Sequence, residues 1–253
     1  MTLNPRQQAL LDLVRRHMTM AVEGLARALK VTPQTVRRDT RLLVNASLLT
    51  RYHGGVRLPP SVQNIEYVQR QAMSALPKRR IARAVAERLP DESSLIINIG
   101  TTTEEVARAL LHHKGLRVVT NNLNVAATLS DNASCEVLVA GGVVRNRDKG
   151  IIGDATIDFI RQFKVNVGII GISSIDPDGS LRDFDAREVR VSQAIIEQSR
   201  EVWLVADHTK FSRESFVHLG HMRQIDVLFT DRAPSARMAD LLKRLKTEVV
   251  VAR

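Results

Sequence analysis

Thr32-Pro33-Gln34-Thr35-Val36-Arg37-Arg38-Asp39 is the most informative stretch of this 253-residue chain. Threonine is a preferred helix N-cap and proline is favoured in the first helical turn, so we predict that a helix begins at Pro33. The helical spacing of apolar residues predicts two earlier helices, one starting at Pro5 and one around Leu25. Two short helices, a tight turn and a third helix with a polar outer face are typical of a helix-turn-helix, whose second helix enters the major groove of DNA.

The outer face of the predicted third helix carries residue types that recognise bases. Gln can hydrogen-bond adenine, Arg can hydrogen-bond guanine, and Thr can contact a thymine methyl group or a phosphate. Further on, apolar and basic residues around a Gly-Gly pair in residues 48–57 predict a β-hairpin wing with cationic edges, suited to the DNA backbone or the minor groove. The predicted DNA-contacting residues are Thr32, Gln34, Thr35, Arg37, Arg38, Arg41, Arg51, His53 and Gly54.

The positive charge of the chain is concentrated in its first third. With 37 Lys and Arg against 27 Asp and Glu, the formal charge is +10, of which residues 1–58 carry +7, residues 59–90 carry +4 and residues 91–253 carry −1. Three amphipathic helices with surface arginines also occur in proteins that do not bind nucleic acid. The local excess of charge, followed by a wing, favours DNA binding.

The rest of the chain has a different pattern. Short apolar runs such as Arg117–Thr120 and Val227–Thr230 alternate with amphipathic stretches such as Ala236–Leu245, which predicts a mostly parallel sheet covered by helices on both faces. We therefore predict an α/β protein in two parts. A winged helix-turn-helix domain occupies residues 1–58, a linker beginning with Pro59-Pro60-Ser61 occupies residues 59–77, and a mostly parallel α/β sensor domain occupies residues 78–253.

Several predicted strands of the second part end in glycine or polar residues. Ligands of open α/β sheets bind at the carboxyl ends of the strands, and a Gly-Thr loop at a helix N-terminus suits a phosphate. Each segment alone also fits a plain helix cap, a turn or a surface lysine. The five segments are Asn98-Ile99-Gly100-Thr101-Thr102-Thr103, Thr120-Asn121-Asn122, Gly141-Gly142, Gly171-Ile172-Ser173-Ser174-Ile175-Asp176 and Asp207-His208-Thr209-Lys210-Phe211. Gly150-Ile151-Ile152-Gly153 is predicted to form a further glycine-bracketed turn before a helix.

Residues 32–39, taken with Arg51-Tyr52-His53-Gly54-Gly55, resemble the DNA-binding signature of the DeoR family of bacterial transcriptional regulators. The strand-end segments, in the same order, resemble the effector domain of that family, which is related in fold to ribose-5-phosphate isomerase. The resemblance implies that Gly100, Thr101, Thr102 and Lys210 help hold a phosphate, and that Asn98, Asn121, Asp176 and Glu188 line a polyol or sugar pocket. Gly142 and Gly153 complete the predicted effector-binding residues.

The resemblance also implies a function. We expect a repressor of glycerol and glycerol 3-phosphate metabolism genes that binds double-stranded operator DNA and is released by a small phosphorylated effector. Glycerol 3-phosphate is the expected effector, and another sugar phosphate is the alternative. A coupling of about 1–3 kcal/mol between the two sites would change operator affinity roughly 5- to 150-fold.

A sugar-phosphate isomerase is the competing hypothesis, since Asp176, Glu188 and Lys210 are groups that acid–base catalysis could use. The isomerases place a lysine in the loop before the helix that bears the glutamate, whereas residues 182–187 of this chain contain none. We therefore expect no enzyme activity and no catalytic residue. An interaction module without a ligand would leave the polar strand ends unexplained.

Other features limit the remaining possibilities. The single cysteine, Cys135, excludes an intrachain disulfide, and no metal site or cofactor is predicted. The apolar runs are too short to span a bilayer and no signal peptide is recognisable, so we expect a cytoplasmic protein without a membrane partner. Because operators are usually recognised as paired half-sites, we expect a homo-oligomer, either a dimer or a tetramer.

Thr40 and Gly24 depart from the family pattern, where an apolar residue and a helix former are usual, and predict a slightly less stable DNA-binding domain.

Overall fold

The computed structural model describes residues 4–17, 19–45, 48–52, 54–57, 67, 70 and 74–253, and only the backbone of residues 15–17, 52 and 57. The chain divides into two compact units, Met1–Ser61 and Val62–Arg253. The domain boundaries proposed at residues 58 and 77 stay predictions, and most of the predicted linker lies outside the described residues. Every helix in the described part of the chain falls short of the length and hydrophobicity that crossing a bilayer requires.

The first unit is a winged helix-turn-helix, as predicted. Leu10, Val14, Leu25, Val36 and Leu43 form its buried core together with residues of the wing. Strand β3 lies between β1 and β2 in an antiparallel sheet. The elements are α1 (Pro5–His17), β1 (Thr19–Ala21), α2 (Val22–Leu29), α3 (Pro33–Asn45), β2 (Thr50–Tyr52) and β3 (Gly55–Arg57).

The two departures from the family pattern have different consequences. Thr40 is buried, but its hydroxyl donates to the carbonyl of Arg37 at 3.1 Å, which offsets the cost of burying it. A Cβ atom at Gly24 would meet the Met20 side chain at 3.7 Å, which is ordinary contact. Packing therefore does not require glycine there, and its cost is the flexibility of a helical glycine, roughly 1 kcal/mol relative to alanine.

The second unit is built on a seven-stranded sheet in which all pairings are parallel, in the order β15-β14-β12-β9-β4-β5-β6. The strands of this sheet are β4 (Ser94–Ile97), β5 (Arg117–Thr120), β6 (Glu136–Val139), β9 (Val165–Ile170), β12 (Ser199–Val205), β14 (Val227–Thr230) and β15 (Glu248–Val251). The helices are α4 (Ala75–Arg88), α5 (Thr101–Ala109), α6 (Leu123–Leu129), α7 (Asp154–Ile160), α8 (Ala186–Glu197) and α9 (Ala236–Leu245).

Helices cover both faces of this sheet because side chains alternate along each buried strand. In β4, Leu95 and Ile97 pack with residues of α4, α5 and α6, whereas Ile96 packs with residues of α7, α8 and α9. The sheet order places β12, β9, β4 and β5 side by side, so their carboxyl ends form one edge of the unit. The predicted α/β architecture is thereby confirmed.

Two smaller sheets were not predicted. Strands β10 (Ser174–Ile175), β11 (Ser180–Asp183) and β13 (Val217–His221) form an antiparallel sheet, with β11 in the middle. Strands β7 (Val143–Val144) and β8 (Ile151–Ile152) form a hairpin. The sequence pattern had suggested only a glycine-bracketed turn at residues 150–153, because a two-residue strand carries too little periodicity to be recognised.

Candidate functional site

The outer face of α3 presents the predicted base-contacting side chains. The Thr32 hydroxyl caps the helix by accepting from the Thr35 backbone N–H at 3.3 Å, and it also bonds the Thr35 hydroxyl at 2.9 Å. The guanidinium of Arg37 lies 3.7 Å from Glu23, and both side chains are more than half exposed, so this contact is weak. The other outward residues, Gln34, Arg38 and Arg41, are exposed.

A buried carboxylate fixes α3 against α1. Asp39 accepts two hydrogen bonds from Arg6, at 2.7 and 3.3 Å, and a third from Gln7 at 3.2 Å. Burial alone would raise the pKa of Asp39, but the bonds from Arg6 and Gln7 outweigh it and lower the pKa. In the sequence Asp39 is only part of a motif, and this role was not predicted, since a charged residue on a helix gives no periodic signal of being buried.

The wing carries Arg51 on β2, where it is exposed, and Gly54 in the turn between β2 and β3. Gly54 has a φ of +83°, which lies in the left-handed region that favours glycine, so the turn itself accounts for this residue. His53, the remaining predicted DNA contact, lies outside the described residues.

The loop after β4 is held by its own hydrogen bonds. The Asn98 amide donates to Ser192 at 2.8 Å and accepts from the Ile99 backbone N–H at 2.7 Å, so both ends of this side chain are engaged. The Thr103 hydroxyl donates to the carbonyls of Asn98 and Gly100, at 2.8 Å each. Helix α5 begins directly after Gly100, and Thr101 and Thr102 are buried in its first turn.

The ends of β5 and β6 supply the next predicted residues. Asn121 is fully buried, and its amide donates to the carbonyl of Ile151 at 3.0 Å, while its Oδ1 has no donor among the described residues. Gly142 has a φ of +144°, and a Cβ atom there would overlap Thr156 and the Ile152 carbonyl, so packing explains this glycine. Gly153 has a φ of +117° and precedes α7, with open space beside it.

Arg145, on the β7–β8 hairpin, forms ion pairs with three carboxylates at this edge of the sheet. It contacts Asp148 and Glu188 at 2.7 Å and Asp185 at 3.1 Å, and its side chain is only 9% exposed. Burial, and after it the charge of Asp183, raises the pKa of Glu188 to about 7, although Arg145 opposes the rise. Neither Arg145 nor its tight pairing with Glu188 was predicted from the sequence.

Asp176 has different bonding partners from these residues. It sits between β10 and β11 and forms an ion pair with Arg182. Its backbone N–H also donates to the carbonyl of Ser180 at 2.9 Å, which closes the turn. Within the described residues, no hydrogen bond or ion pair joins Asp176 to the other predicted effector residues.

Four basic residues converge near the end of β12, and we call them the cation cluster: Arg70, Lys78, Lys210 and Arg213. Lys78 is buried, while Arg70, Lys210 and Arg213 are partly buried. Asp207, directly after β12, is the carboxylate whose charge acts on Lys78, Lys210 and Arg213 alike. Much of its hydrogen-bonding capacity is already used, because it caps the following turn through the backbone N–H and hydroxyl of Thr209.

Burial and mutual repulsion lower the pKa values of the two lysines. Burial, followed by the charge of Arg213, lowers the pKa of Lys210 to about 7. Burial also lowers the pKa of Lys78 to about 8, with Asp207 opposing and Arg70 adding to the shift. Since desolvated cations that repel one another are stabilised by a bound anion, the arrangement suits an anionic group of a ligand.

Glu104, on α5, is another buried carboxylate that was not predicted from the sequence. It accepts from the Tyr67 hydroxyl at 2.6 Å and from the amide of Asn124 at 3.0 Å. The Asn124 amide also donates to the Tyr67 oxygen at 2.9 Å, which closes a three-residue network. Tyr67 and Arg70 both precede α4. Tyr67 contacts Glu104 and Arg70 contacts Asp148, near the carboxyl ends of the strands.

A groove of about 820 Å³ on the second unit lies between α4 and α5. Its lining includes Arg79, Arg83, Glu105 and Arg108, together with Thr101 and Glu104 from the first turn of α5. No group of three or more His, Cys, Asp or Glu side chains suited to a metal ion occurs within the described ranges.

Comparison with known proteins relates both units to one family. The model of a DeoR-like helix-turn-helix domain matches residues 6–62, and the model of a DeoR C-terminal sensor domain matches residues 74–232. The glycerol-3-phosphate regulon repressor of Haemophilus influenzae is 48% identical over 246 residues, covering 97% of this chain and 96% of the relative. The repressor of the same name from Escherichia coli strain K12 is 48% identical over 237 residues, covering 94% of each chain.

Among solved structures, ribose 5-phosphate isomerase A from Neisseria gonorrhoeae matches 54% of this chain and 53% of its own, with 16% identity and a TM-score of 0.39.

Proposed function

The chain belongs to the DeoR family of transcriptional regulators, and from this we propose that it represses genes of glycerol and glycerol 3-phosphate metabolism. In this proposal the first unit binds double-stranded operator DNA. Glycerol 3-phosphate binds the second unit and releases the repressor from the operator. The 48% identity to two glycerol-3-phosphate regulon repressors over nearly the whole chain supports this effector before other sugar phosphates.

The cation cluster is the observation that carries the effector proposal. Lys78, Lys210 and Arg213 share the charge of Asp207, so a phosphate with nearly two negative charges would relieve their repulsion. The amides of the Gly100-Thr101-Thr102 turn, at the N-terminus of α5, are further candidates for phosphate oxygens. We assign Lys210 and this turn to the phosphate, as the family resemblance implied.

The polyol part of the effector is assigned to neighbouring polar groups. The buried Oδ1 of Asn121 lacks a donor within the described residues, so an effector hydroxyl would satisfy it. Glu188, in the first turn of α8, lies at the same edge and retains acceptor capacity beside its bond to Arg145. Asn98 supports the loop rather than contacting the effector, because both ends of its amide are engaged.

The same geometry argues against isomerase chemistry, so we propose a regulator without enzyme activity. A general base needs a carboxylate that is free to take a proton from the substrate. Glu188 is tightly paired with Arg145, and Asp176 is paired with Arg182. Residues 182–187 also lack the lysine that the isomerases carry there.

On the DNA side, we assign base contacts to Gln34, Thr35, Arg37 and Arg38, and backbone contacts to Arg41 and Arg51, from their positions on α3 and the wing. All of these side chains are exposed except that of Thr35, which is half-buried. A single winged helix covers few base pairs, so we propose that the repressor acts as a homo-oligomer on paired half-sites in the cytoplasm. Analytical ultracentrifugation with and without operator DNA tests the oligomer.

A thermal-shift panel of phosphorylated three- to six-carbon compounds tests the effector. A ligand at 100 times its Kd stabilises the protein by about 2.7 kcal/mol, so glycerol 3-phosphate should raise the melting temperature, while glycerol and inorganic phosphate should raise it less. A shift with another sugar phosphate but none with glycerol 3-phosphate would reassign the effector within the family.

A further inference from the structure

We propose that the second unit contains a ligand pocket, separate from the cation cluster, that takes a small organic anion with an apolar body, such as an aromatic carboxylate. The pocket lies between the 3-10 turn His208–Phe211, the end of β10 and the start of α9, and its volume is about 310 Å³. We call it the α9 pocket. As far as the structure describes the chain, no member of the cation cluster lines it. The inference goes beyond the proposed function and does not depend on it.

The α9 pocket occupies a usual position for a ligand in this type of fold. His208 follows the carboxyl end of β12 and Arg232 follows that of β14, and the two strands are neighbours in the parallel sheet. Ligands of open α/β sheets bind outside the carboxyl ends of the strands. The volume also lies at the lower end of the range found for small-molecule sites.

The floor and walls of the α9 pocket are apolar. Ile175 and Met238, which are 1% and 5% exposed, belong to the hydrophobic core, and Phe211 packs against that core. Pro177 and Pro234 supply further apolar surface, and their rings restrict the backbone. A hydrophobic ligand group would therefore enter a pocket that is already formed, and it would lose contact with water there.

The charge at the mouth of the α9 pocket is positive. Arg232 and Arg237 line it, and its described lining contains no Asp or Glu. Arg237 forms no ion pair within the described residues. Arg232 lies 3.6 Å from Asp231, but its side chain is 65% exposed, so this pair is weak. Two guanidinium groups are thus available for the paired hydrogen bonds that a carboxylate accepts.

A histidine in the wall of the α9 pocket is held in a fixed orientation. The buried carboxylate of Asp231 accepts from the His208 backbone N–H at 2.7 Å and bonds its ring Nδ1 at 2.8 Å. The Nε2 atom of this ring has no hydrogen-bond partner within the described residues, so a polar group of a ligand can use it. Arg80 lies 4.0 Å from Asp231 and Arg232 lies 3.6 Å from it, so the charge of this carboxylate is compensated.

The lining of the α9 pocket selects one class of occupant. A cation would meet two arginines, and inorganic phosphate or a short polyol has no apolar group to cover the Phe211 ring and the prolines. An α-helix of a protein partner, about 10 Å across, does not fit into this volume. A compact molecule with an apolar body and one carboxylate satisfies both the floor and the mouth.

Methyl NMR of the full-length protein with ¹³C-labelled methionine tests the proposal, with benzoate as the probe. Met238 lines the pocket and its resonance is identified by its loss in Met238→Leu, whereas the buried Met222 lies outside the lining and serves as internal reference. We expect benzoate to shift the Met238 signal saturably with a Kd on the order of 1 mM, typical of so small a ligand. Benzamide, which has the same shape without the charge, should shift it much less.

Arg237→Gln should weaken benzoate binding at least about tenfold, because it removes a charge-assisted contact. The matched control is Arg244→Gln, which removes the same charge from an exposed position in the last turn of α9 and should bind benzoate like wild type. An unmoved Met238 signal, equal shifts with benzoate and benzamide, or equal affinities in wild type and Arg237→Gln would overturn the α9 pocket. The measurement uses neither operator DNA nor glycerol 3-phosphate, so a failure of the proposed effector would leave its outcome unchanged.

Discussion

Lys210 is a lysine that its sequence context does not distinguish but whose burial changes its chemistry. In the sequence it is one lysine among many, and a plain surface position also fits it. In the structure it lies at the end of β12 among three other cations, and its pKa falls to about 7 from an ordinary value of 10.5. Between these two values the folded protein binds fewer protons than the unfolded chain, so the free energy of unfolding rises as the pH rises through this window.

Effector binding should therefore depend on pH. A bound phosphate raises the pKa of Lys210, so binding at pH 8 takes up protons, and affinity falls above pH 7 by up to about tenfold per pH unit for each lysine involved. Titration calorimetry in buffers of different ionisation enthalpy measures this uptake, which Lys210→Met should largely remove. An affinity that stays constant from pH 7 to pH 9, without proton uptake, would show that the lysine does not face the phosphate.

Asp39 acts at the same scale in the other unit. Asp39→Ala should destabilise the DNA-binding unit by roughly 1–3 kcal/mol, because it leaves the buried amide of Gln7 without its acceptor and frees Arg6. Urea unfolding followed by far-UV circular dichroism measures the loss, with the exposed Glu23→Ala as control. Because the folded-state pKa of Asp39 is lowered, its contribution should disappear as the pH falls below the ordinary value of 3.8. Equal unfolding midpoints for the two variants at pH 7 would contradict this role.

At the scale of elements, the regular parts of the fold were predictable and the irregular parts were not. The bounds predicted for β5, β14 and α9 are those observed, because uniformly apolar or strongly amphipathic runs with polar ends specify an element locally. The β7–β8 hairpin and the β10–β11–β13 sheet depend on pairing between distant short segments. Arg145, Glu104 and Asp39 could not be recognised as buried, since charged residues look alike in sequence whether or not they are paired.

The arginines on the outer face of helix α3 should contribute directly to operator binding. Arg37→Ala and Arg38→Ala should each weaken operator binding by at least about 1 kcal/mol per site, since both side chains are exposed on the outer face of α3. Effector binding should not change. Gel-shift titration measures the first effect and calorimetry the second, with Arg200→Ala, an exposed arginine of the second unit, as control. Operator affinity equal to wild type in both α3 variants would remove these arginines from the interface.

Across the whole molecule, the distribution of charge indicates that the two units bind anions in different ways. The first 58 residues carry +7, which suits the phosphate backbone of DNA. Residues 91–253 carry −1 and residues 62–90 carry +4, so the second unit has a net charge of only +3 and lacks the strong general positive field of the first. It has to capture the phosphate locally, and two members of the cation cluster, Arg70 and Lys78, come from the basic stretch that precedes β4.

Operator binding and effector release should be separable in one chain, which a single titration tests. Fluorescence anisotropy of a labelled operator from the glycerol metabolism genes is followed while glycerol 3-phosphate is added to wild type, Lys210→Ala and the exposed control Lys243→Ala. All three should bind the operator alike, and glycerol 3-phosphate should release wild type and the control but not Lys210→Ala. Release of Lys210→Ala at the wild-type effector concentration would contradict the assignment of the phosphate to the cation cluster.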